Sequence, residues 1–148
     1  MQVKITETMV MNEILYKLNK MGVGSFDRIN NVPAYNEKLG QYKRLSFYAR
    51  KGASDIIGIR NGRFIAIEVK TERTFGPAEK YKNEIWDDPF SKKPIFKSKI
   101  HLWEQICYLK EKELHGAIAF FSYGYAHAID RILKSMDNKL CGEDHDKV

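Results

Sequence analysis

Only two cysteines, Cys107 and Cys141, occur in 148 residues, too few for a disulfide framework, and both are expected as reduced thiols. No apolar run approaches the roughly 18 residues that a membrane span needs. The opening MQVKITETMVMNEIL lacks the uninterrupted apolar core of a signal peptide. A cytoplasmic protein with no membrane partner is therefore expected. The four histidines (His101, His115, His127, His145) show no zinc spacing, and Cys141 with His145 offers only two ligands in a polar tail. Gly22 and Gly24 are not followed by Gly-Lys-Ser/Thr, which excludes a phosphate loop, and no small-molecule cofactor is expected. Internal repeats, low-complexity tracts and the aromatic sheet-face motifs of RRM domains are absent as well.

What the chain does have is an ordinary globular composition, 43% hydrophobic and 12% aromatic, at a length that suits one domain with a single core. Its formal net charge of +6 is unevenly spread. Between Lys38 and Arg63 lie seven basic residues against Asp55 alone, whereas Asp137 to Val148 holds four acids and two lysines. A basic block around an acid fits a polyanion partner, because phosphate contacts dominate such binding. A solvated lysine-rich surface would look the same on charge alone.

Thr6 or Thr8 can cap a first helix reaching about Lys20, with Val10, Ile14, Leu18 and Met21 at helical spacing. Phe26 to Tyr42 reads as a strand and then a loop, and Arg44 to Ala49 as a short strand. Asn61-Gly62 is a two-residue hairpin signal that joins strands within Ser54–Lys70. From 71 to 99, Pro77, Pro89 and Pro94 break a charged, aromatic stretch that reads as an insertion or flap. A helix over Ile100 to Leu114 stops at Gly116, a strand follows over Ala117 to Phe121, and a last helix runs from Tyr125 to about Met136. Residues 1–136 then make one domain and 137–148 a polar tail. The element order predicts an α/β fold, a central mixed sheet flanked by helices, with helix 100–114 carrying the chain to a strand parallel to the hairpin.

Chemistry concentrates in GASDIIGIRNGRFIAIEVK. A side-chain period of two projects Glu68 and Lys70 from one face of their strand, and the hairpin brings Asp55 toward them. Two carboxylates suit a hard cation such as Mg2+, for which Mn2+ can substitute, with the main-chain carbonyl of Val69 as a third oxygen. A lysine beside them can orient water or offset charge developing on a phosphate. The bland alternative, a surface Glu68–Lys70 ion pair worth about 0–1 kcal/mol, leaves Asp55 at the head of an apolar strand unexplained.

These residues resemble the signature of the PD-(D/E)XK nuclease superfamily, and within it the stand-alone VRR-NUC domains common in phages and bacteria. The signature reads here as Ser54-Asp55, a gap, and Glu68-Val69-Lys70, with Ser54 in place of the usual proline. Lys51-Gly52-Ala53-Ser54-Asp55 is similar to the family's KGxxD run, and Gly62-Arg63-Phe64 precedes the acid-x-lysine strand as in its relatives. Arg28-Ile29-Asn30-Asn31 resembles the upstream Arg-x-Asn, and Gln105 with Gly116-Ala117 the helix that leads into Gly-Ala and a strand. Glu13 matches an acid on the first helix. The resemblance covers about residues 9–122, apart from 71–99.

The resemblance implies a restriction-endonuclease-like core and a metal-dependent DNA endonuclease leaving 5′-phosphate and 3′-hydroxyl ends. Asp55, Glu68, Lys70 and Gln105 would be catalytic, with Asp55, Glu68, the Val69 carbonyl and, as a further candidate, Glu13 holding the cation. Arg28, Asn30, Arg44, Arg50, Lys51 and Ser54 are candidates for nucleic-acid contact, although each taken singly reads more readily as an ordinary surface side chain. Gln105 also reads as a half-buried core glutamine and Glu13 as a solvated helix glutamate. Branched or nicked DNA and a homodimer, as in Holliday-junction resolvases, enter by analogy. Tyr81, Trp86, Phe90 and Phe96, set among lysines, can stack on unpaired bases, enter a dimer interface or form a satellite core. The rivals are a non-catalytic DNA-binding module or subunit on the same fold, and a nuclease acting on RNA.

Overall fold

Thr6 starts the first helix: its hydroxyl accepts the Met9 amide at 3.3 Å, and α1 runs Glu7–Lys20 with Val10, Met11, Ile14 and Leu18 on its buried face. The computed structural model describes residues 3–29, 35–38, 40–42 and 54–145. After α1, β1 (Ser25–Arg28) forms an edge strand. Its outward-facing backbone at Phe26 is bracketed by Asn19, which donates from Nδ2 to the carbonyl at 3.0 Å and accepts the amide on Oδ1 at 2.9 Å. Short strands β2 (Tyr35–Asn36) and β3 (Gln41–Tyr42) make a separate two-stranded hairpin, where a loop was expected from sequence. The strand predicted over Arg44 to Ala49 lies outside the described residues.

The central hairpin forms as its turn chemistry predicts. Asn61 and Gly62 both take positive φ, 48° and 77°, between β4 (Ile56–Arg60) and β5 (Arg63–Val69). Gly58 is required for another reason. A Cβ there would drive into the Phe26 ring, which lies flat against β4 at the paired position. The strand β6 (Ile118–Ser122) adds parallel to β5, giving a four-stranded mixed sheet in the order β1-β4-β5-β6. Helices flank this sheet, so the chain is a mixed α/β protein.

Alternation along β5 divides two cores. Ile65, Ile67 and Val69 pack with α1 and with α4 (Tyr125–His145), whose Ala128 and Ile132 are fully buried. Ala66 faces the other way, toward Ala78, Ile85, Ile106, Leu109 and Phe121. The second cluster is built by α2 (Glu72–Ile85) and α3 (Lys97–Leu114), which cover that face and carry the chain across to β6. Each large aliphatic side chain so buried stabilises the fold by roughly 1.5–3 kcal/mol.

Helix α2 and a 3-10 turn over Pro89–Ser91 replace the irregular segment predicted for 71–99. Thr71 and Thr74 form a reciprocal cap, and Pro77 sits only in the second turn, where it removes one intrahelical bond. Ala78, Lys82 and Ile85 hold the helix on the sheet. Lys82 is buried, 3.4 Å from Glu79 and 4.8 Å from the Trp86 ring, and burial pushes its ammonium pKa down. Tyr81 and Trp86 join the second core, each also covered by a lysine, Lys99 at 5.2 Å and Lys110 at 4.7 Å. The last helix exceeds its predicted end by nine residues, so helix occupies much of the expected tail. Among the described residues no helix is long and apolar enough to cross a membrane.

Candidate active site

Antiparallel pairing of Ile56 with Ile67 places Asp55, one residue before β4, opposite Glu68 near the end of β5. Backbone bonds hold Asp55 on both sides. The Ile29 amide donates to its carbonyl at 2.9 Å, and its carboxylate Oδ2 accepts the Val69 amide at 2.8 Å. Glu68 shares the face of Ala66 and is covered by α3, leaving it 3% exposed. Lys70 continues the ladder, its amide donating to the Ser122 carbonyl at 2.8 Å.

Gln105, buried on α3, joins these groups. Lysine can only donate, so the Gln105 amide oxygen must face Lys70 Nζ, at 3.0 Å. The amide nitrogen is then left to donate to Glu68 Oε1 at 2.6 Å, and its second hydrogen to His101 Nε2 at 3.3 Å. His101 must accept there. Lys70 Nζ also lies 5.4 Å over the Phe121 ring.

The second carboxylate oxygen of Glu68, Oε2, is buried with no hydrogen-bond partner. Burial raises the Glu68 pKa well above its ordinary value of 4.5, the Asp55 charge adds to the rise, Lys70 opposes it, and Glu7 adds a smaller push. An oxygen of this kind, stripped of water and facing a second carboxylate, can receive a proton or a cation. Gln105→Leu keeps the buried volume but strands Lys70 Nζ and Glu68 Oε1. It is expected to cost about 1–3 kcal/mol in urea unfolding, and an unchanged midpoint would refute the bridging role.

The structure thus brings Asp55, Glu68, Lys70 and Gln105 together, with the Val69 carbonyl in the strand between the acid and the lysine. Among the described residues, no group of three or more His, Cys, Asp or Glu side chains forms a ready-made metal cage. The oxygen donors for a cation are the two acids and that carbonyl. Glu13 is exposed and paired with Lys17 at 3.5 Å, so it is not drawn into the cluster. Glu7, exposed in the first turn of α1, adds only the smallest of the pushes on the Glu68 pKa. Sequence reasoning missed His101, although it lies one helical turn (i, i+4) from Gln105.

Arg28 is exposed at the end of β1 and by alternation lies on the Phe26 face, opposite that of Asp55 and Glu68. Ser54 is fully buried with an unpartnered hydroxyl, so in this fold it does not meet the surface expected to carry nucleic acid. Asn30, Arg44, Arg50 and Lys51 lie outside the described residues. Burial pushes the Cys107 thiol up to about 11, and Glu104 and Asp88 add to this, which suits an inert side chain.

Beyond Lys70 a groove of about 850 Å³ opens at the ends of β5 and β6, lined by Glu7, Glu13, Thr71, Arg73, Tyr123 and His127 among others. His127 Nδ1 lies 3.0 Å from the buried Ser122 hydroxyl, which itself donates to the Gly124 carbonyl at 3.1 Å. The hydroxyl can therefore only accept from His127, which fixes the proton on Nδ1. Burial lowers the His127 pKa, with Arg131 adding to the effect. No protein-family model matches this chain, and no curated protein sequence matches it significantly.

Proposed function

We propose that this protein is a divalent-metal-dependent DNA endonuclease with a restriction-endonuclease-like core, as the resemblance to VRR-NUC domains implies. The observation that carries the reading is the buried, unpartnered Glu68 Oε2, facing Asp55 and held one amide away from Lys70. A carboxylate kept in this position costs stability without a cation, which fits a site built to hold one.

The donor set is all oxygen (Asp55, Glu68 and the Val69 carbonyl), as Mg2+ or Mn2+ prefers. The bound cation would neutralise charge on the scissile phosphate and make a nearby water more acidic. Lys70 uses one donor on Gln105 and keeps others for the attacking water or a non-bridging phosphate oxygen. Gln105 fixes both the lysine and the acid, so neither must reorganise as charge develops. His101 anchors that amide from the exposed side of α3. In-line attack on phosphorus then expels the 3′-oxygen, leaving a 5′-phosphate.

The test compares the protein with Asp55→Ala and Lys70→Ala variants on linear duplex, single-stranded, nicked and four-way-junction DNA, with Mg2+, Mn2+ or EDTA. Metal-dependent cutting that falls by about 10²–10³-fold or more in both variants is expected. Equal cutting by parent and variants would identify a contaminant. Salt-sensitive binding without cutting would favour the non-catalytic module. Preference for nicked or branched DNA would support structure selectivity, and cleavage of RNA alone would reassign the substrate.

A further inference from the structure

Between the 3-10 turn and α3 the chain makes a knuckle, Pro89 to Lys99, whose apolar residues point away from both cores. Ile95 is 95% exposed, Phe96 72% and Phe90 48%. Its base is fixed. Pro89 is buried, and its carbonyl accepts both Trp103 Nε1 at 2.7 Å and the Lys92 amide at 3.1 Å. Lys92, Lys93 and Lys97, all exposed, flank the apolar tip along the chain, Lys99 lies over the Tyr81 ring, and the segment 89–99 contains no acid. The preceding acids, Asp87 and Asp88, come before the buried Pro89. Three exposed apolar side chains interleaved with three exposed lysines are complementary to a polyanion that also offers apolar surface. Nucleic acid bases between phosphates have that character.

Its position is set by the topology. The α3 C-terminus leads into the start of β6, which pairs with the start of β5, so the α3 N-terminus lies toward the Glu68–Lys70 end of the sheet. From Gln105 back to Phe96 the helix rises about 13 Å at 1.5 Å per residue, roughly four base steps at 3.4 Å.

Resting on the nuclease reading above, we propose that Ile95 and Phe96 form a wedge that enters between bases of the DNA about four steps from the scissile phosphate, with the flanking lysines on the adjacent phosphates. Such a wedge favours DNA whose bases are already unstacked or unpaired, because unstacking a paired step costs a few kcal/mol. Of the four aromatic residues singled out in the sequence, Tyr81 and Trp86 are committed to the second core, whereas Phe90 and Phe96 remain outward and Ile95 joins them.

The experiment uses the cleavage-inactive Asp55→Ala protein with and without Ile95→Ser and Phe96→Ser, and DNA carrying 2-aminopurine at successive steps around a branch. Both substitutions fall on exposed side chains, and serine at position 96, the N-cap of α3, can only strengthen that helix, so the thermal midpoint should not fall. A fluorescence rise confined to steps near the fourth, lost in the double variant, is expected. Affinity for branched DNA should fall about 10-fold while affinity for intact duplex changes less than twofold. Lys92→Gln with Lys93→Gln should lower the salt dependence of binding and leave the fluorescence pattern in place. Unchanged fluorescence and affinity in the double variant, while the unsubstituted protein cuts DNA, would overturn the wedge alone. Loss of self-association, or of binding to phosphatidylserine vesicles, with DNA binding intact would reassign the tip to a protein or membrane contact. If the Asp55→Ala protein binds none of these DNAs and the unsubstituted protein cuts none, the nuclease reading falls with it.

Discussion

Glu68→Gln is expected to make the protein more stable at neutral pH and, on the proposed nuclease reading, to abolish DNA cleavage. Below its ordinary pKa of 4.5, Glu68 is protonated in both folded and unfolded chains and contributes nothing to the pH dependence. Above that value the unfolded chain has released a proton that the folded protein keeps. Folding then takes up a proton, so stability falls as pH rises, until the raised pKa of the folded state is passed and the full cost persists. A glutamine at position 68 keeps an acceptor toward Gln105 and turns the orphaned oxygen into a donor facing Asp55. The gain should be roughly 1–3 kcal/mol at neutral pH, the scale of one buried unsatisfied polar group, and should vanish near pH 4. On that reading cleavage should fall on the order of 10³-fold, since one of the two acids proposed to hold the cation loses its charge.

Thermal unfolding with and without Mg2+ adds a readout independent of turnover. If the two acids form the proposed cation site, Mg2+ should raise the midpoint of the unsubstituted protein, since it would bind only the folded state, and should have little effect on Glu68→Gln. A Glu68→Gln protein less stable than the parent at pH 7, or one still stabilised by Mg2+, would contradict the account of the orphaned oxygen.

Gly58→Ala is expected to disrupt the sheet strongly. The added Cβ collides with the Phe26 ring, and that ring is itself packed in the first core. Relief requires the ring or β1 to move, at a cost of about 2–3 kcal/mol. In a chain this long that corresponds to a fall of roughly 5–10 °C in the midpoint. Shifting β1 also disturbs the bond from the Ile29 amide to the Asp55 carbonyl, so cleavage should drop with stability. Combining Gly58→Ala with Phe26→Leu should cost less than the sum of the two changes. Strict additivity would show that the ring is not the obstacle.

Local and periodic features were legible in the residues themselves. Asn61-Gly62 specified the hairpin because few other pairs accept two positive φ values. The period of two placed Glu68 and Lys70 on one face, and helical spacing located α1 and the body of α3 with Gln105 inside it. The composition signal at 71–99 misled because Pro77 and Gly76 argue against a helix locally. The cap at Thr71 and burial of Ala78, Lys82 and Ile85 on the sheet outweigh that penalty.

Which of these groups meet was left to contacts between distant segments. Packing sets α3 over Glu68, lets Gln105 bridge it to Lys70 with His101 behind, and keeps Glu13 in solvent. Phe90, Ile95 and Phe96 are left outside for the same reason, since Trp103 and the buried Pro89 fix the base of the knuckle. Alternation can say which face a side chain leaves from. Only packing says whether water, another helix or nothing waits there, and that sets whether a carboxylate is a surface charge or a desolvated ligand.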